Sequence, residues 1–123
     1  MKRFIYDIEI FNNFFCITIL DYNSENKIIF EISERINQIE EFILWYTSVD
    51  KESYGISFNG IEYDNLILNK LVKGGYADKR YLEITKELKE FSDYVIQRKD
   101  DDDYHENTKW YKWGHRWIDV DLL

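Results

Sequence analysis

Two short stretches carry side chains whose type and spacing suit chemistry: Asp7-Ile8-Glu9 and Asn59-Gly60-Ile61-Glu62-Tyr63-Asp64. Asp7 and Glu9 fall inside a run rich in β-formers, Phe4 to Ile10, and on a strand residues two apart project from the same face. Two carboxylates on one face of an apolar strand must reach water or be neutralised by a cation. Magnesium takes oxygen ligands and completes its octahedron with waters and substrate phosphates, so carboxylates gathered at strand ends form a suitable cradle. Asp64 adds a third acid, expected one helical turn into the helix that follows a fourth strand. The other reactive side chains invite plainer readings. Cys16, in Phe14-Phe15-Cys16-Ile17, reads as a small buried hydrophobe. His105 and His115 read as ordinary polar residues, one within an acidic stretch and one beside Gly114. The run Asp100-Asp101-Asp102-Asp103 reads as a solvated loop, because adjacent like charges repel, with cation capture as the alternative.

The elements that must position these residues follow from periodicity. Strands are expected over Lys2 to Ile10, Phe14 to Tyr22 and Lys27 to Ser33, the last with Ile28, Phe30 and Ile32 on one face. Turn chemistry at Asn12-Asn13 and across Asp21 to Asn26 links them into an antiparallel meander. The period then lengthens. Ser33 is expected to cap a helix bearing Ile36, Ile39, Ile43 and Tyr46 and ending near Val49. Tyr54 to Phe58 reads as a short buried strand broken by Asn59-Gly60, and Ile61 to Val72 as a helix closed by Gly74-Gly75. Tyr81, Ile84, Leu88, Phe91 and Val95 step by three and four along a further helix. A last strand is expected from Trp117 or Ile118 through Val120. The expected fold class is therefore α/β, a three-stranded antiparallel meander plus parallel strands with flanking helices.

Taken jointly, a first-strand Asp-x-Glu, a meander, a helix and a strand leading into Asn-Gly-x-x-Tyr-Asp resemble the DnaQ-like, or DEDD, 3'-to-5' exonucleases on the ribonuclease H-like fold. The second motif looks most like that of the proofreading exonuclease domain of family B DNA polymerases. The similarity spans Lys2 to about Leu71, and Trp117-Ile118-Asp119 resembles the strand that follows the second motif. The resemblance implies that Asp7, Glu9 and Asp64 are catalytic, metal-binding acids, and that Phe11, Asn59 and Tyr63 line the groove for terminal nucleotides. It also implies two-metal hydrolysis of phosphodiesters at single-stranded DNA or RNA 3' ends with Mg²⁺ or Mn²⁺, aromatic rings stacking on unpaired bases. The alternative reading for Tyr63 and Phe11 is ordinary core or surface packing. The family's third motif, a Tyr or His ahead of a fourth Asp on a helix after the last strand, has no equivalent before Leu123. His115 precedes Asp119, but on or near a strand. The expectation is thus a single exonuclease-like domain over residues 1–123 that lacks its C-terminal catalytic helix. Such a chain is either the N-terminal piece of a longer exonuclease or polymerase or a shortened protein that keeps the acids for binding.

Composition bounds these readings. A chain of 123 residues with one cysteine forms a single domain without an internal disulfide, and a reducing cytoplasm is the default setting. No apolar stretch is long enough to span a membrane, and no signal-peptide core follows Met1. The absence of Pro and the abundance of Ile, Lys, Asn and Tyr suggest a low-GC bacterium or one of its phages. With 24 acidic and 16 basic residues the net charge is −8, which disfavours simple phosphate binding and predicts weak nucleic-acid affinity without metal. Two further functions stand beside the exonuclease reading, the first of them suggested by that charge and the missing fourth acid. One is a non-catalytic acidic binding or inhibitor protein on the same fold, such as a phage protein engaging a host protein. The other is a structural subunit that uses Trp110 to Trp117 as a contact surface.

Overall fold

The computed structural model describes residues 3–49, 52–57, 63–97 and 116–119. In chain order the elements are β1 (Arg3–Phe11), β2 (Phe14–Asp21), β3 (Lys27–Ser33), α1 (Ile39–Ser48), β4 (Tyr54–Ser57), α2 (Asn65–Lys73), α3 (Tyr81–Gln97) and β5 (Arg116–Asp119). The strands form one mixed sheet in the order β3-β2-β1-β4-β5. β1 and β2 pair antiparallel through the tight turn at Asn12-Asn13, β2 and β3 pair antiparallel, and β4 lies parallel to both β1 and β5. The meander and the mixed α/β class are therefore as the sequence predicts.

The second turn shows how local chemistry sets the meander. The Asp21 carboxylate accepts the backbone N–H groups of Asn23 and Ser24 at 2.9 and 3.3 Å, and Glu25 takes a left-handed φ of 63°. Strand alternation then sorts side chains to two faces. Phe4 and Tyr6 of β1, Phe15, Ile17 and Ile19 of β2, and Phe30 and Ile32 of β3 are buried beneath the helices. They form one core with Ile39 and Phe42 of α1, Ile67, Leu68 and Leu71 of α2, and Ile84 and Leu88 of α3. Each such side chain contributes about 1.5–3 kcal/mol by leaving water, which outweighs the weak intrinsic preferences of these short elements.

Three boundaries differ from expectation. Ser33 does not cap α1; its backbone N–H donates to the Ile36 carbonyl at 2.7 Å and its hydroxyl to Glu31 at 2.6 Å, so residues 33–38 fold back on β3. The helix starts only at Ile39, and Ile36 is left exposed rather than on its buried face. α2 begins at Asn65, because Tyr63 and Asp64 make a wider turn before regular hydrogen bonding sets in; the expected start at Ile61 lies outside the described residues. β5 begins at Arg116. The expected closure of α2 is present: Gly75 adopts φ +73°, and a Cβ on Gly74 would meet the buried Tyr76 ring at 2.5 Å. The run Asp100 to Asp103, both histidines and Trp110 to Gly114 lie outside the described residues. No helix among the described residues is long and apolar enough to cross a membrane.

Candidate active site

β1 occupies the middle of the sheet, and its alternation fixes where its acids go. Phe4, Tyr6, Ile8 and Ile10 pack toward the core, so Arg3, Ile5, Asp7, Glu9 and Phe11 emerge on the opposite, exposed face. A slip of one residue would bury both carboxylates and expose the apolar set, which makes this register strongly specified. Asp7 and Glu9 thus share a face, as their spacing predicts. Phe11 shares it too: it ends β1, is 57% exposed, and leans against Phe14 with ring centroids 6.3 Å apart.

Across the strands, Glu9 pairs with Cys16 and Cys16 with Glu31, while Asp7 pairs with Thr18. Cys16 is half-buried within this acidic row rather than inside the core. Burial pushes its thiol pKa up, and the neighbouring Glu9, Glu31 and Asp7 push it further, which disfavours the thiolate. Glu31 is the acid that the sequence reading did not pair with this face, although counting the meander register back from Glu9 through Cys16 would have found it. Its carboxylate is already engaged. Arg35 donates to both oxygens at 2.7 Å, and together with the Ser33 hydroxyl it holds the Glu31 pKa down at about 2.

Asp64 stands in a different setting. It is buried, occupies the cap position ahead of α2, and makes no side-chain bond to the helix amides, so it sits before the helix instead of one turn inside it. Asn65, the next residue, is fully buried and accepts a short hydrogen bond from the Tyr6 hydroxyl on the core side of β1. The helix that Asp64 heads is therefore anchored on the face opposite Asp7 and Glu9. Among the described residues no three His, Cys, Asp or Glu side chains gather closely enough to hold a metal ion.

Tyr63 turns toward α3. Its hydroxyl lies 2.6 Å from that of Ser92, its ring packs with Leu66 and Val95, and burial raises its pKa. Asn59 lies outside the described residues. At the level of the backbone the acids do share one end of the sheet. Asp7 and Glu9 lie beyond the Ile5 to Ile56 pair, Asp64 follows the carboxyl end of β4 in the chain, and Asp119 closes β5 in register with Ser57. Ligands of open α/β sheets collect at this carboxyl end of parallel strands. Compared with family models, curated proteins and solved structures, the chain matches none.

Proposed function

We propose that this chain is a ribonuclease H-like domain of the DnaQ-like exonuclease kind, acting on single-stranded DNA or RNA 3' ends in the cytoplasm of a bacterium or a phage-infected host. The observation that carries the reading is the sheet order β3-β2-β1-β4-β5 with Asp-x-Glu on the exposed face of its central strand. Phe11, exposed beside those acids, supplies an aromatic surface for an unpaired base.

Divalent ions, Mg²⁺ or Mn²⁺, belong to the reading because they supply an activated water and neutralise charge on a phosphate. The carboxylates as placed do not enclose such an ion, since Asp7 and Glu9 are open to solvent while Asp64 is buried ahead of a helix on the other face. What the residues themselves provide is a pair of adjacent carboxylates and a ring on one face. A partner polymerase or a further segment carrying a fourth acid belongs to the same proposal.

The same separation favours a second reading, a non-catalytic acidic protein that presents Asp7 and Glu9 to a basic partner. A 5'-labelled single strand incubated with the protein and Mg²⁺ or Mn²⁺ distinguishes the two. The exonuclease reading expects stepwise shortening that EDTA and Asp7→Asn both abolish. An intact strand under all conditions favours the binding protein.

A further inference from the structure

We propose that the groove between α2 and α3 is a metal-independent contact site for a nucleotide of a single strand. The groove has a volume of about 400 Å³, within the range of small-ligand sites, and is lined by Leu66, Asn69, Lys70, Lys73, Phe91 and Tyr94, with Gly74 at its end. In a chain with 24 acids and 16 bases, no carboxylate among the described residues lines it. Its two cations both come from the last turn of α2.

The aromatic wall comes from α3. Phe91 and Tyr94 lie one turn apart with rings inclined by only 20° and centroids 6.3 Å apart, and Tyr94 is 37% exposed. Lys70 extends its ammonium group to 5.7 Å from the Phe91 ring centroid, so charge and π-surface already adjoin. A flat π-system beside Tyr94 and an anion at Lys70 and Lys73 together describe a nucleotide, whose base stacks and whose phosphate pairs with ammonium groups. An acidic peptide would use the lysines but leave the rings without function.

The two lysines lie six and nine residues along α2 from Asp64, roughly 9 to 14 Å at the helical rise, within reach of one short strand. It goes beyond the exonuclease reading, because it requires neither a metal nor hydrolysis. Fluorescence anisotropy of a labelled oligothymidylate in EDTA tests it. The wild-type protein is expected to bind, more weakly in about 200 mM salt than in about 50 mM. Lys70→Gln with Lys73→Gln should weaken binding about tenfold or more, and Tyr94→Ala about tenfold, with circular dichroism unchanged. Lys86→Gln, an exposed change on α3 away from the groove, should have no effect. Absence of binding by the wild type, or groove variants that bind as it does, would overturn the proposal. Displacement of the strand by an oligoglutamate peptide, with Tyr94→Ala neutral, would overturn it as well. Because EDTA is present throughout, loss of nuclease activity alone leaves this result untouched.

Discussion

The two faces of one sheet teach different things about this protein. On the covered face Phe15, Ile17 and Ile19 alternate with the outward residues of β2 and are at most 2% exposed, locked between neighbouring strands and three helices. On the open face the flanking strands β1 and β3 present Asp7, Glu9, Phe11 and Ile29, the last two more than half exposed. Neighbours in the chain, one residue apart, thus obey opposite demands: the first set holds the fold, the second is free to do chemistry or bind. Substitutions sharpen that contrast in order of size.

The largest effect belongs to the covered face. Phe15→Ala should cost about 3–5 kcal/mol by lost burial and a residual cavity, a large share of a small domain's stability, measured by urea denaturation. A midpoint within error of wild type would break the distinction between the faces. Next comes the bond that ties α2 to β1. Tyr6→Phe removes the hydroxyl that donates to Asn65 and should cost about 1–3 kcal/mol in the same measurement, because the Asn65 amide oxygen stays buried.

A smaller effect is a pH dependence at the rim of the open face. Glu31 has its pKa lowered from 4.5 to about 2 by Arg35 first and Ser33 second. A lowered folded-state pKa gives stability that is present above the unfolded value and lost as pH falls through the folded one. Unfolding midpoints of wild type and Glu31→Gln should therefore converge between about pH 4.5 and 2. A constant gap between them across that window would contradict the ion pair's role. The smallest effect is Phe11→Ala on the open face, expected to change stability by no more than about 0.5 kcal/mol. A loss comparable to that of Phe15→Ala would mean that Phe11 serves packing instead of binding.

Much of the fold was legible because strong periodicities coincide with burial. The alternation of Ile28, Phe30 and Ile32 in β3 and the three-four steps of α3 leave little freedom, and these residues face the core as expected. Ser33 misled because its hydroxyl satisfies Glu31, a contact that no local pattern announces. Asp64 precedes α2, where the sequence predicts it one turn inside, because the wide turn at residues 63–64 has no sequence signature. The pairing of Asp7 with Glu9 was legible from the period of two. The separation of both from the helix that Asp64 heads was not, since it depends on Asn65 reaching Tyr6 through the core face. The groove of Lys70, Lys73, Phe91 and Tyr94 joins two helices, and its residues meet only in three dimensions.

On the proposed function, the open face of β1 serves hydrolysis at a 3' end. Two single strands of identical sequence, one with phosphodiesters throughout and one with a phosphorothioate at its last linkage, are compared by mass spectrometry after incubation with protein and Mg²⁺. The first strand is expected to lose mononucleotides one at a time from its 3' end and the second to resist, while Asp7→Asn with Glu9→Gln spares both. Two strands left intact by the wild-type protein, or shortened equally by wild type and variant, would contradict that function.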